Sequence, residues 1–410
     1  MRILTVGNMY PPHHLGGYEL TWRSWVSQLR RSGHEVRVLT TDYRSPAPGI
    51  VASADDDVHR ELRWYWHDHG FPPIGHVERL RLERHNGRVL ARHLAQLRPD
   101  AVAWWAMGGM SLSLIERVRR ADIPAVGVVG DLWMLYGPKV DAWFRAVRRL
   151  GVLGRLVGAM AGVPATLDLG GAARWLYVSE VVRQRSREAG GPLPDTRVVH
   201  PGIDPEVFVP KQRGAWRGRL LYVGRLDQRK GVGTALEALE RLPAQNTLRI
   251  VGDGDRSYAR SLEERAASKI LRGRVTFSAQ VSQRELAGIY ASADAVLFPA
   301  IWSEPWGLVP LEAMACGTPV IATGTGGSGE YLCGGRNCLL VEPGDSAALA
   351  HAVSRLAADA GVRESLRSAG FESSARYTER AYNASIEEAL VEVVRAAHTR
   401  LSLPDGAERH

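Results

Sequence analysis

The chain has 410 residues, of which 45% are hydrophobic and 23% charged, and 52 basic against 44 acidic side chains give a formal net charge of +8. That length exceeds one ordinary core and suits two domains, and the composition excludes disordered, collagen-like and disulfide-stapled classes. Residues 1–205 carry 27 of the basic and 20 of the acidic side chains, but no recognition-helix, RRM-like or zinc-finger pattern accompanies that excess, which sets nucleic acid aside as a partner. In chain order, short apolar runs read as strands at Ile3–Val6, Val36–Thr40, Ala101–Trp105, Ala125–Val129, Trp175–Val178 and Arg197–His200. A second series follows at Leu220–Val223, Leu248–Val251, Val275–Phe277, Ala295–Phe298, Pro319–Ala322 and Leu339–Val341. Helical spacing falls between them, as at Tyr18–Arg31, Val77–Leu97, Gly233–Arg241 and Leu286–Ser292. Strand-length apolar runs alternating with helices argue for parallel sheets covered on both faces, here twice over, so the expected fold is α/β with two doubly wound domains.

The junction is expected in the Pro/Gly-containing stretch Pro201–Gly218, giving domains 1–205 and 206–380, a C-terminal helix at about 381–400 packing back on the first domain, and a tail 401–410. Two segments interrupt the alternation. Arg44–Pro73 reads as a long loop with an acidic triplet (Asp55, Asp56, Asp57), taken as solvated, and a cluster of Trp64, Tyr65, Trp66, His67 and His69. Asp141–Pro164 is basic and amphipathic; its expected place is with the apolar face on its own domain, and the second reading is an anionic membrane surface. The cysteines Cys316, Cys333 and Cys338 match neither a disulfide framework nor a zinc pattern. With no membrane-spanning run and no signal-peptide pattern, the expected location is the cytoplasm, with peripheral contact to the inner face of a membrane as the further reading.

Several motifs carry chemistry. Gly16 and Gly17 stand between the first strand and a helix, where backbone N–H groups approach phosphate or sugar oxygens closely; two glycines also make an ordinary turn. In VGRLDQRKG, Arg225 and Lys230 follow a strand and precede a helix, a setting in which two cations clamp a diphosphate. Gly252, in VGDGD, follows the next strand. In EPWGLVPLE, Glu304 lies just past a strand, a helix begins near Leu308 and Val309, and Glu312 falls on that helix, where a carboxylate accepts hydrogen bonds from two hydroxyls of a sugar.

EPWGLVPLE resembles the E-x7-E signature of the retaining glycosyltransferases of family 4, which have the GT-B fold of two Rossmann-like domains facing a deep cleft. The resemblance runs through Gly16–Gly17, HPGID, GRLDQRKG, VGDGD, EPWGLVPLE and CGTPVIAT. It implies transfer of a sugar from a nucleoside-diphosphate sugar to a saccharide, natural-product or lipid-linked acceptor. Gly17 then lies near the donor phosphates, Arg225 and Lys230 bind the diphosphate, Glu304 contacts the donor sugar, Trp306, Gly307 and Leu308 offer backbone contacts, and Glu312 holds the ribose. Where the family often has His-Asp after a strand, this chain has Gly130-Asp131. Asp131 is kept as a catalytic candidate. A donor lacking the hydroxyl, a substitute histidine such as His13, His14 or those at 67 and 69, or an impaired enzyme each accounts for Gly130. No D-x-D pattern suited to metal-bridged phosphates is present, so neither a metal nor a cofactor is expected beyond the nucleotide-sugar co-substrate. On the acceptor side, Trp64, Trp66, Trp105 and Trp133 are expected to line a pocket, since sugars stack on aromatic rings. A nucleotide-sugar epimerase or phosphorylase on the same scaffold, and a non-catalytic nucleotide-sugar binder, stand as alternatives. Monomer and homodimer both remain open.

Overall fold

The central strands are apolar along their whole length, and this decides the architecture. AVAW at Ala101–Trp104, AVGVV at Ala125–Val129, AVLF at Ala295–Phe298 and VIA at Val320–Ala322 are buried at every residue. A strand with both faces buried belongs inside a parallel sheet covered by helices on each side. The computed structural model describes residues 1–45, 57–66, 70–190, 195–211 and 214–402. It falls into two compact units, one of residues 1–14, 18–199 and 383–410, the other of residues 15–17 and 200–382.

In the first unit the chain runs β1 (Arg2–Val6), α1 (Gly17–Arg31), β2 (Glu35–Thr41), β3 (Val58–Leu62), α2 (His76–Leu97), β4 (Ala101–Trp104), α3 (Ser113–Arg120), β5 (Ala125–Val129), α4 (Trp133–Val140), α5 (Ala142–Arg149), α6 (Gly151–Ala161), β6 (Arg174–Tyr177), α7 (Glu180–Gly190) and β7 (Thr196–Val198). The sheet order is β3-β2-β1-β4-β5-β6-β7, with every pairing parallel. Its core is rich in indole: Trp22 and Trp105 stack with centroids 5.8 Å apart, Trp25 tilts onto Trp105, and Trp22 donates its N–H to Thr5 Oγ1 at 2.8 Å.

The second unit runs β8 (Arg219–Val223), α8 (Val232–Arg241), β9 (Thr247–Val251), α9 (Arg256–Ala266), β10 (Val275–Ser278), α10 (Gln283–Ser292), β11 (Ala295–Phe298), α11 (Val309–Ala315), β12 (Val320–Ala322), β13 (Leu339–Leu340), α12 (Ser346–Ala358) and α13 (Ala360–Arg376). Its sheet is again all parallel, in the order β10-β9-β8-β11-β12-β13. Leu220, Leu236, Leu239, Ile250, Leu297, Ile321 and Val353 form part of one buried aliphatic core. The last helix, α14 (Glu379–Ser402), starts in this unit and from Asn383 belongs to the first. There Asn383 meets Ser24, Glu387 meets His34, and Glu392 pairs with Arg174 and Arg197.

Each strand read from the sequence is present, its ends within two residues of expectation. Two segments differ. The Arg44–Pro73 stretch was expected as loop, and β3 lies inside it, pairing with β2 from Val38↔Val58. VHREL carries no apolar run because β3 is an edge strand on which only Leu62 is buried. Asp55, Asp56, His67 and His69 lie outside the described residues, whereas Asp57 pairs with Arg37. The Asp141–Pro164 stretch is two helices that meet at Leu150–Gly151. Asp141 caps the first by accepting from the N–H groups of Trp143 and Phe144. That helix packs as expected, burying Trp143, Phe144 and Val147, but α6 leaves its larger apolar side chains in solvent.

Candidate active site

In a doubly wound sheet the ligand site lies beyond the carboxyl ends of the strands where the order reverses. In the second unit that place is between β8 and β11. Beyond β8 come Arg225 and a 3₁₀ turn, Gln228–Lys230; beyond β11 comes Glu304. The fold therefore brings Lys230 and Glu304 together. Lys230 Nζ donates to both carboxylate oxygens, at 2.9 and 2.7 Å. Trp302 Nε1 donates to the same carboxylate at 2.8 Å, and its ring carries the Arg229 guanidinium at 4.6 Å and Lys230 Nζ at 5.2 Å. Glu304 is buried, so the lysine offsets a charge that water does not reach. Removing one partner of such a pair costs roughly 3–5 kcal/mol. Arg225 pairs with Asp227 at 3.2 Å, and Arg229 with the same carboxylate at 2.6 Å. The Arg229 hydrogen bond, ahead of other terms, holds the Asp227 carboxyl well below the usual range. Three cations and two carboxylates thus crowd one strand-end cluster.

The EPWG loop is anchored by its tryptophan. The Trp306 ring is buried, stacks on His200 at 4.3 Å and donates its N–H to the Pro201 carbonyl at 2.9 Å. Gly307 has φ +89°, which a side chain rarely adopts, and its carbonyl accepts the Tyr331 hydroxyl. Leu308 is the N-cap of α11 and Val309 its first residue, followed by Pro310 in the first turn, where a missing N–H costs nothing. Glu312 sits one turn into α11, buried, with one oxygen accepting from the Tyr290 hydroxyl at 2.7 Å. Burial raises its carboxyl to about 7, against the pull of that hydrogen bond. Gly252 follows β9, its N–H bonded to the Ser278 carbonyl.

In the first unit, β5 delivers Gly130 and Asp131. Asp131 accepts from the Trp133 N–H at 3.0 Å and the Tyr136 hydroxyl at 2.9 Å, and burial raises its carboxyl. Both oxygens are engaged at the start of α4. A Cβ at Gly130 would lie 2.1 Å from the Tyr18 ring, whose hydroxyl donates to the Val128 carbonyl at 2.7 Å. The volume that a histidine side chain would need is therefore filled by Tyr18, the residue directly after Gly16 and Gly17. His13 accepts from the Ser45 N–H, and His14 is buried against the Pro12 carbonyl. Gly16 and Gly17 lie at the start of α1, grouped with the second unit.

The four tryptophans divide. Trp64 and Trp66 stack with centroids 4.7 Å apart, with Tyr43 edge-on to both, and are half-buried. Trp105 and Trp133 have no exposed surface and lie in the core, against Trp22 and Trp25 and against Trp175. The expectation that those two line a pocket is corrected: the positions directly after β4 and at the start of α4 face inward. The sequence reading missed Trp302 and Tyr18. The signals were there, an indole donor two residues before Glu304 and a tyrosine beside the glycine pair, but neither has a meaning until the strands are ordered.

Residues 15–207 match the model for "Glycosyltransferase Family 4", and residues 212–373 that for "Glycosyl transferases group 1". The two matches follow one another along most of the chain and support glycosyltransferase family 4 as its family. The chain is 34% identical over 241 residues to a D-inositol 3-phosphate glycosyltransferase of Xylanimonas cellulosilytica. That alignment covers 55% of this chain and 56% of the relative, so the chain spans little more than half the length of that relative. Its fold matches sucrose-phosphate synthase of Thermosynechococcus elongatus with a TM-score of 0.74 at 22% identity, over 96% and 99% of the two chains. It also matches HepE of Anabaena, solved in complex with UDP and glucose, with a TM-score of 0.70 at 21% identity, over 96% and 100%. The chain therefore has the GT-B fold, built on two Rossmann-like sheets.

Proposed function

We propose that the protein is a retaining glycosyltransferase that moves a sugar from a nucleoside-diphosphate sugar to a hydroxyl or amine of a saccharide, natural-product or lipid-linked acceptor. The observation that carries this reading is the Lys230–Glu304–Trp302 cluster at the switch point of the second sheet. As the glycosidic bond breaks, negative charge grows on the leaving diphosphate and positive charge on the sugar. Lys230 and Arg225 meet the first by preorganised charge, without reorganisation at the moment of reaction. Glu304 orders the sugar hydroxyls, and Glu312 accepts from the ribose hydroxyls. Gly16, Gly17 and Gly252 let backbone approach the donor, while Trp306, Gly307, Leu308 and Val309 present backbone groups to it. Asp131 keeps its catalytic assignment, and Trp64 and Trp66 are the acceptor-facing rings. The UDP seen in HepE supports a uridine donor as the first to test. The exposed apolar face of α6, flanked by arginines, supports contact with an anionic membrane surface.

The test is incubation with a panel of nucleotide sugars, with and without acceptors. Transfer to an acceptor is expected, and Glu304→Ala abolishes it. Isomerised sugar without acceptor, or binding without turnover across a broad acceptor panel, overturns the reading. Lys230→Ala is expected to weaken UDP binding by about 10- to 100-fold in calorimetry, the range for a charged hydrogen bond of about 1.5–3 kcal/mol. Unchanged affinity contradicts the diphosphate assignment.

A further inference from the structure

The sequence reading found no metal ligands, yet the first unit gathers two imidazoles and a carboxylate, none of them assigned a role above. In VHREL, His59 and Glu61 are two apart on β3, so their side chains leave the same face of the strand. The helix α2 covers that face and contributes His93. His59 Nδ1 lies 3.3 Å and His93 Nε2 3.4 Å from the same oxygen, Oε1 of Glu61. All three donor atoms fall within 4.8 Å of one another. His93 is only 2% exposed, and among the described residues neither of its ring nitrogens has a hydrogen-bond partner. A buried imidazole with nothing bonded to it is costly, and such groups call for an explanation.

We propose that His59, Glu61 and His93 form a binding site for a divalent transition-metal ion of the zinc class. Zinc takes nitrogen and carboxylate ligands at about 2.0–2.2 Å, so neighbouring ligand atoms of a tetrahedral site stand about 3.4 Å apart. The two His–Glu61 separations have that value, which is long for a hydrogen bond between the same groups. His59 meets a further condition. Its other nitrogen, Nε2, is 2.6 Å from Asp57 Oδ1, the arrangement in which an outer carboxylate fixes the ring of a metal-bound histidine. Two cations border the cluster. Arg92 bonds the other Glu61 oxygen, Oε2, leaving Oε1 toward the imidazoles, and Arg37 is neutralised by Asp57. Zinc and three neutral or anionic donors then share a cluster whose arginines are already engaged.

The site gives β3 what its sequence lacks. The strand is a sheet edge with one buried residue, tied to α2 otherwise by polar contacts such as His85 Nε2 on the Glu61 carbonyl and Asn86 on Arg63. A metal held by β3 and α2 cross-links the edge to the helix above it. Two histidines and a carboxylate leave a fourth position for water, so the ion is accessible to chelators.

The experiment is titration of the chelator-treated full-length protein with Zn²⁺ and Co²⁺, followed by calorimetry, visible absorption and thermal melting. One equivalent is expected to bind, with Co²⁺ ligand-field bands of nitrogen–oxygen coordination and a rise in Tm on adding Zn²⁺. Glu61→Gln and His59→Asn, both at half-exposed positions, are expected to lower affinity at least about 100-fold and to remove the bands and the Tm response. His93→Asn is expected to do the same if its melting without metal matches the wild type. No stoichiometric binding by the wild type overturns the proposal and leaves an ion-pair cluster. Equal binding by wild type and Glu61→Gln also overturns it, placing the metal on other histidines.

Discussion

Tyr18 and Gly130 are best understood as one feature. The phenol ring occupies the side-chain space of position 130, and its hydroxyl is tied to the Val128 carbonyl on the same strand end. Any side chain at 130 must displace that ring, and overpacking of this kind costs about 1–3 kcal/mol. Gly130→Ala is therefore expected to lower stability by that amount in chemical denaturation, and Tyr18→Ala to recover most of it in the double variant. Additive losses in the double-mutant cycle would show that the two positions are not coupled. The glycine was legible in the sequence as a departure from the His-Asp pattern. Its filler was not, because Tyr18 reaches β5 only through the order β1-β4-β5, which no local pattern encodes. In the proposed mechanism a phenol hydroxyl thus stands near the place where an imidazole is usual. A substitute histidine is not required to account for Gly130.

At the scale of elements, α6 is turned the opposite way to an ordinary amphipathic helix. Its glycines face the protein: a Cβ at Gly154 would lie 2.0 Å from the Val147 carbonyl oxygen, and one at Gly158 2.6 Å from Ala165. Val152, Leu153, Leu156, Val157 and Met160 face solvent, with Met160 86% exposed. Arg148, Arg149 and Arg155 are exposed beside them, and no acidic residue occurs between Asp141 and Asp168. Helical periodicity showed an apolar face but could not show which face the protein buries, since glycine counts as neither. No helix among the described residues is long and apolar enough to cross a membrane. An apolar ridge flanked by cations suits the interface of an anionic bilayer, where each basic side chain adds about 1 kcal/mol. Sedimentation with phosphatidylglycerol vesicles is expected to carry the protein down, and pure phosphatidylcholine vesicles to carry far less. The pair Leu153→Ser and Met160→Ser is expected to abolish the difference without changing Tm, since neither side chain is packed. Equal partition to both vesicle types, or none to either, rules the membrane reading out.

Across the whole molecule, the two sheets were legible because apolar strand runs and helical spacing are local, and β3 was not because an edge strand need not be apolar. The donor-side residues were legible for a related reason. The strand-end positions of Arg225, Lys230 and Glu304 follow from chain order, while the pairing of Lys230 with Glu304 needs the β8–β11 adjacency. Chain order has a further consequence at α14. The first unit is assembled from residues 1–14, 18–199 and 383–410, so it lacks part of its core until the last helix is in place. Ile386 and Leu390 on that helix have no exposed surface. Truncating either removes buried methylene groups and leaves a cavity, a cost of about 2–5 kcal/mol. Nine of the twelve tryptophans, from Trp22 to Trp175, lie in this unit. Tryptophan emission therefore reports mainly on its unfolding. Leu390→Ala is expected to move the urea midpoint of that signal down by the corresponding amount, with an unchanged slope. A midpoint equal to the wild type's would mean that α14 contributes nothing to the first unit's stability, and that the core it completes is not the one these buried side chains define.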